Sequence, residues 1–470
     1  MAGRFLRAFK PLAGYMLEVA PPDRRVGFWE KIFWTGLALI IYLVMTEVPL
    51  YGVGRGGQDP LIYLRVIFAS TRGSLMELGI GPIVTAGIIL QLLAASEIIE
   101  CDFSDPEDRG LFTAATKFFS ILLTAVNALA YILGGVYGRL DFPTGLVIFS
   151  ELVVAGIILM LLDELVQKGW GIGSGISLFI LAGVAKNIWW QTFSPAPVGD
   201  GKYYGAIPAT IQFIMEGDWK SLIMRERGYP TLIGLITTIV IFLIIIYMEG
   251  VRVEIPISYA SYRGFRSRYP IKLLYVSNLP VIFTSALFAN IYFISQLVWS
   301  NFNRENTHFW LNLIGKYEVE EWGLRPIGGL VYYITSPNGL AGVIKDPIRA
   351  IAYLILMVTF CALFSLTWLE VGGMDPKTVA RQLVSAGLQI PGFRRSSKPI
   401  EILLGRYIPT VTLLGGILIG LLAAVSDFLG AFGTGTGILL SVGIVDQYYQ
   451  ALVQEQITEL YPGLRRLLGR

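Results

Sequence analysis

Long runs without a charged side chain are the feature that most restricts this chain of 470 residues. Charge-free windows cover 32–46, 78–96, 118–138, 169–185, 231–248, 273–303, 350–369, 407–426 and 428–445, and the window 142–162 holds only Glu151. A helix needs about 20 mainly apolar residues to cross a bilayer. An open sheet cannot satisfy its backbone in lipid. The windows therefore predict an all-α polytopic membrane protein with ten transmembrane helices. Composition agrees: 15% of the residues are charged, against about 25% in a typical soluble domain.

The same windows restrict chemistry. Two distant cysteines, Cys101 and Cys361, and the single His308 provide no disulfide framework and no conventional zinc or haem set. Span interiors offer chiefly Glu151, with Gln91, Asn127, Asn278 and Asn290 as neutral groups. No carboxylate pair or histidine cluster is present for catalysis, so no metal, cofactor or enzymatic activity is expected. Residues 1–27 mix Phe5, Leu6 and Phe9 with Arg4, Arg7 and Lys10, and lack the apolar core of a cleavable signal. They read as a short basic helix on the membrane surface, or as a disordered basic tail.

Charge between the windows sets an orientation. Alternate segments that include both termini carry 23 Lys and Arg, against 14 on the other side. Cytoplasmic segments carry the excess, so both termini are expected in the cytoplasm. Two long loops on that side are basic: 249–272, with Arg263, Arg266 and Arg268, and 370–406, with Arg394 and Arg395. Such loops serve as cytoplasmic retention signals, or bind an acidic partner such as RNA phosphate.

Two echoes point to an internal repeat. "GWGIGSGISLFI" (169–180) and "FGTGTGILLSVG" (432–443) share a glycine ramp into an apolar run, with Gly171, Gly173 and Gly175 falling on Gly433, Gly435 and Gly437. "GIGPIVTAG" (79–87) and "SNLPVIFTSA" (277–286) share a proline followed by aliphatics. Both pairs are five spans apart. Two inverted five-helix halves, related by a pseudo-two-fold axis in the membrane plane, account for this. No Lys-Ser/Thr follows either ramp, so neither is a phosphate loop. The glycines instead serve close helix packing or a helix start beside a cavity.

Bulky aliphatics follow each ramp and each proline: Ile176 and Ile180, Leu440, Val84 and Ile282. If these helices face a common axis, an aliphatic ring surrounds it. An apolar constriction gates by dewetting and suits a pore for large, varied cargo. An inverted-repeat secondary transporter of a small solute is the alternative, but such transporters use polar intramembrane sites. Residues 59–72, "DPLIYLRVIFASTR", are too short to span; they form an interfacial helix or a re-entrant half-helix.

The stretches "LGIGPIVTAGIILQLL", "LLDELVQKGWGIGSGISLFI", "RVEIP…YRGFRSRYPIKLLYVSNLPVI" and "RYIPTV…SDFLGAFGTGTGILL" resemble the SecY family, the large subunits of the protein-translocation channel. The resemblance runs from about residue 20 to 455 and lies closer to the archaeal and eukaryotic branch than to the bacterial one. It implies a passive channel for secretory polypeptides with an hourglass pore and lateral release of transmembrane segments. Its pore ring would be Ile80, Val84, Ile176, Ile180, Ile282 and Leu440. Its plug would be about 59–72, with Leu61, Ile62, Leu64, Arg65, Ile67 and Phe68. A lateral gate of spans 2, 3, 7 and 8 would recognise signal sequences through Thr85, Asn127 and Asn290, Asn127 being a shorter amide than the family position carries.

The resemblance further implies ribosome docking at the two basic loops. It implies as partners a small single-span SecE/gamma-type subunit, a small beta-type subunit and nascent chains with signal sequences. Its setting would be the lipid bilayer of a prokaryotic, archaeal, cell membrane. The chain then divides into a cytoplasmic amphipathic segment 1–27, an N-terminal half 28–190, an external loop 191–230, a C-terminal half 231–455 with external loop 298–348, and a tail 456–470.

Overall fold

The computed structural model describes residues 4–460 except 15, 54–68, 97, 100, 102–104, 134–136, 138–140, 199–200, 224, 226–228, 260–265, 277–278, 321–322, 338, 386–387 and 390–396. Among the described residues are ten long helices: α1 Phe28–Glu47, α2 Gly81–Ala95, α3 Pro106–Leu133, α4 Phe142–Leu165, α5 Gly175–Phe193, α6 Leu232–Gly250, α7 Leu279–Phe302, α8 Pro347–Val371, α9 Ser397–Phe428 and α10 Gly435–Leu460. Among the described residues, seven helices are long and apolar enough to cross a membrane: α1, α3, α4, α6, α7, α8 and α9. Helix α2 is apolar but shorter. Helices α5 and α10 occupy the two remaining windows. Polar Lys186 and Asn187, and Asp446 through Gln454, lower the hydropathy of their C-terminal portions.

The described residues between helices include seven strands: β1 Pro197–Val198, β2 Lys202–Tyr203, β3 Arg252–Tyr259, β4 Arg266–Lys272, β5 Lys316–Glu320, β6 Gly323–Gly328 and β7 Leu388–Gln389. The chain forms two compact units. One holds residues 1–188, 289–332 and 444–470; the other holds 189–288 and 333–443.

In the first unit, α2 packs on α3 and α3 on α4. A Cβ on Gly156 would lie 2.7 Å from Thr124, which shows how closely α3 and α4 approach. Small residues permit such contacts in lipid. Two short helices, Arg4–Ala8 and Lys10–Ala13, precede α1. Leu6 and Phe9 are buried with Leu90, Ile99, Leu111 and Ala115, and Phe5 and Phe9 meet the Phe118–Phe119 pair. The apolar side of residues 5–9 thus packs on the ends of α2 and α3. At the neighbouring end of α4, buried Glu164 bonds Lys117 at 2.6 Å and Lys168 at 2.9 Å. Lys168 also reaches Glu18, whose carboxyl that bond holds below the usual range.

The loop beyond α7 is ordered by amides. Asn306 sits at φ +56°. Its side chain accepts from Trp299 Nε1 and donates to the Tyr317 carbonyl, both at 3.0 Å. Asn312 donates to the Asn306 carbonyl and accepts from Asn303, both at 2.8 Å. Burial raises the pKa of Tyr317 beside this cluster.

In the second unit, α8 lies tightly on α9. A Cβ on Gly420 would stand 2.8 Å from Val358 Cα, and one on Gly416 2.5 Å from Ser365. The region 370–406, expected to be a loop, is largely structured. A helix Pro376–Ser385 and the first turns of α9 pack Val379, Ala380, Leu383, Ile400, Leu404 and Ile408 against Ile255 and Ile271 of β3 and β4. Helix α9 therefore begins at Ser397, ten residues before the charge-free window opens. Its apolar residues recur every four positions there, while Lys398, Glu401 and Arg406 share the same turns.

Candidate functional site

The six expected ring positions share one local setting: five fall within the first two turns of a helix that starts at glycine or just before proline, and the sixth, Ile80, immediately precedes one. Pro82 and Pro280 are the second residues of α2 and α7, where a missing N–H costs nothing. Val84 and Ile282 are then the fourth residues of their helices, and Ile80 is the N-cap of α2. Helix α5 starts at Gly175, so Ile176 and Ile180 are its second and sixth residues. Helix α10 starts at Gly435, so Leu440 is its sixth. Ile80, Ile180 and Leu440 are buried; Val84, Ile176 and Ile282 are half-buried.

These starts correct the register of the glycine echo. Helix geometry pairs Gly175 with Gly435, not with Gly437, and brings Ile180 and Leu440 to equivalent positions. The reason lies in the helix before each ramp. Asp163 of α4 accepts from Ile176 N at 2.9 Å. Asp427 of α9 accepts from Gly435 N at 2.7 Å. Each carboxylate satisfies a free amide at a helix start and complements its dipole. Gly175 and Gly435 are required because a Cβ would strike the acidic helix: Asp163 Cα at 2.6 Å in one case, Ala423 O in the other. Further bonds fix each start. Tyr448 donates to the Ser174 carbonyl at 2.6 Å, and Tyr353 donates to Asp427 at 2.9 Å. Sequence reasoning missed both aspartates, although each ends an apolar run shortly before its ramp. Glu151, the acid within a window, accepts from Tyr51 N at 3.0 Å and so anchors backbone.

The three expected gate residues lie on three helices: Thr85 on α2, Asn127 on α3 and Asn290 on α7. All are half-buried. Their side chains have no hydrogen-bond partner among the described residues. The expected plug residues Leu61, Ile62, Leu64, Arg65, Ile67 and Phe68 lie outside the described residues. The return of that segment is anchored. Ala69, at φ +50°, gives its carbonyl to Tyr42 Oη at 3.0 Å, and Tyr42 stacks on Phe179 of α5 with centroids 4.8 Å apart.

The two basic loops, expected as separate features, meet in one sheet of order β4-β3-β7. Ser258 pairs with Arg266 on one side and with Gln389 on the other. Arg263, Arg394 and Arg395 lie outside the described residues; Arg266 is placed in β4 by its backbone. Arg268 is exposed but paired with Glu254 at 2.6 Å across the hairpin. That bond holds the Glu254 carboxyl below the usual carboxylate range.

A family model described as SecY matches residues 74–449. This chain belongs to the SecY family. A second model, the plug domain of Sec61p, matches residues 40–73. The SecY relatives include the protein translocase subunit SecY of Pyrococcus horikoshii, 46% identical over 96% of each chain. They also include the Sec61 subunit alpha of Dictyostelium discoideum, 44% identical over 97% of this chain and 98% of that one. Among solved structures, one described as a protein conducting channel is 38% identical with TM-score 0.80, covering 96% of this chain and 98% of that chain. Sec61 in the canine ribosome-channel complex matches over the same shares at 38% identity and TM-score 0.77.

Proposed function

We propose that this SecY-family chain is the central pore-forming subunit of a protein translocase. It is a passive channel that passes secretory polypeptides and releases transmembrane segments sideways into lipid, and it performs no catalysis of its own. The observation that carries this is the shared placement of Val84 with Ile282, and of Ile180 with Leu440, at equivalent positions of glycine- or proline-led helix starts. In this reading the four starts would line a conducting path with aliphatic side chains, and an apolar constriction of that kind blocks ions by dewetting while tolerating any polypeptide sequence. Both aspartates are engaged in capping, so neither is a free carboxylate for a coupling ion.

In this proposal Ile80, Val84, Ile176, Ile180, Ile282 and Leu440 act as the constriction. Residues 59–72 act as the plug, in keeping with the plug-domain match. The unpartnered polar groups of Thr85, Asn127 and Asn290 meet the signal sequence. The halves 28–190 and 231–455 are inverted repeats, and both termini and the β4-β3-β7 sheet face the cytoplasm. The likeness to Sec61 in a ribosome-channel complex supports ribosome docking there, with Arg263, Arg266, Arg268, Arg394 and Arg395 toward rRNA phosphate. Small single-span SecE/gamma-type and beta-type subunits complete the complex. The Pyrococcus relatives support an archaeal cell membrane.

The test is site-specific photo-crosslinking from Ile282 and from Thr85, in membranes charged with a stalled ribosome–nascent chain bearing a signal sequence. Capture of the mature segment by Ile282 and of the signal by Thr85 is expected. Capture by neither site, with protection of both by a small solute, would overturn the proposal.

A further inference from the structure

The lobe between α5 and α6 exposes apolar side chains where a water-bathed element would carry polar ones. Its helix Ala206–Glu216 buries Ala206, Ala209 and Phe213, spaced three and four apart, and touches α6. Steps of about 100° per residue put Ile211, Ile214 and Met215 on the opposite side. A surface helix normally turns polar residues outward there. Instead these three are 58%, 53% and 83% exposed, and the next short helix adds Trp219 at 67%.

The stripe is held rigidly. Arg225 is buried, with its guanidinium 5.3 Å from the rings of both Phe213 and Tyr229. It donates to the carbonyls of Tyr203 at 2.7 Å, Tyr204 at 3.0 Å and Pro230 at 2.8 Å. The helix is thereby fixed to the turn that leads into α6. The two helices that the lobe joins also expose apolar side chains. Helix α6 exposes Ile236, Ile239, Val240 and Leu243, and α5 ends with exposed Trp189, Trp190 and Phe193. Tryptophan at a span end marks the headgroup level.

We propose that the face formed by Ile211, Ile214, Met215 and Trp219 is seated in the headgroup region of the bilayer, at the leaflet where α5 ends and α6 begins. The lobe thereby serves as an interfacial anchor. The occupant is lipid, because the lobe helix packs on α6, a helix long and apolar enough to span a membrane that exposes apolar side chains, and follows the exposed tryptophans that end α5. The proposal rests on the membrane reading of those two helices.

The experiment places an environment-sensitive nitrobenzoxadiazole probe at Met215→Cys, and separately at Trp219→Cys, in a Cys101→Ser background, since buried Cys361 does not react. The full chain is reconstituted in mixed phosphatidylcholine and phosphatidylglycerol vesicles containing nitroxide lipids. Leu243→Cys, in the middle of α6, is the control. Burial about 5–10 Å into the headgroup boundary predicts stronger quenching at Met215 and Trp219 by a nitroxide near the glycerol than by one near the chain end, with the opposite order at Leu243. Quenching at Leu243 but not at the lobe sites would overturn the anchor alone. Loss of the blue-shifted emission on dilution, or its appearance only with an added single-span subunit, would assign the face to protein and also overturn it. No quenching at Leu243 would overturn the membrane reading itself.

Discussion

Replacing Gly175 with alanine tests the close approach on which the start of α5 depends. The added Cβ would lie 2.6 Å from Asp163 Cα. Carbon atoms rest about 3.5–4.0 Å apart, so α4 and α5 must separate by about 1 Å. Overpacking of this kind costs about 1–3 kcal/mol. The same shift stretches the 2.9 Å bond from Ile176 N to Asp163, and a bond to a charged group contributes about 1.5–3 kcal/mol. Alanine recovers at most about 1 kcal/mol of helix preference over glycine. The net expectation is a loss of about 2 kcal/mol. Gly87→Ala is the matched control, since nothing stands within 4 Å of its Cβ direction on α2. Thermal unfolding in detergent, followed by far-ultraviolet circular dichroism, reads both. Gly175→Ala should lower the midpoint, while Gly87→Ala should leave or raise it. Equal midpoints for the two variants would refute the proposed packing.

Three further outcomes are expected. Tyr42→Phe keeps the ring on Phe179 but removes the bond to the Ala69 carbonyl. The loss of about 1 kcal/mol should raise resting ion leak about five-fold in planar bilayers, and an unchanged leak would detach Ala69 from the plug's seal. Glu254 titrates below its ordinary range because Arg268 is bonded to it, so the pair persists at neutral pH and is lost only as pH falls through that lowered value. Glu254→Gln should therefore strengthen ribosome binding at pH 7 and leave it indifferent to the acid range, measured by co-sedimentation; a wild-type profile in the variant would argue against Arg268 as a contact. Ile282→Asn should raise resting conductance and admit substrates with weakened signals. Wild-type conductance and selectivity in that variant would remove Ile282 from the constriction.

The apolar windows made the helix count legible, since charge is excluded from a span whatever it packs against. The helix starts that carry the expected ring positions were legible because proline and glycine announce such starts on their own. Register was not: Gly173 and Gly175 look alike in sequence, and only the contact with Asp163 shows which one begins the helix. The sheet was hidden for a different reason. Val253, Ile255 and Ile257 alternate as in a strand, but the edge partner β7 is two residues long and lies far along the chain. The first turns of α9 escaped notice because Ile400 and Leu404 face a small core with β3 and β4 while their neighbours are charged. Asp163 and Asp427 went unnoticed, since their roles depend on amides in the following helix.

The pairing of β3 with β7 also sets an order of events during synthesis. Strand β3 can join β4 as soon as the hairpin leaves the ribosome, but its other edge must wait for Leu388. By then α7 and α8 have both been made. Until that moment β3 presents open backbone amides and carbonyls, the kind of edge that recruits stray strands. Closure by β7 covers Ser258 and Tyr259, so these two residues are the last of the sheet to be paired, after both intervening helices have been made.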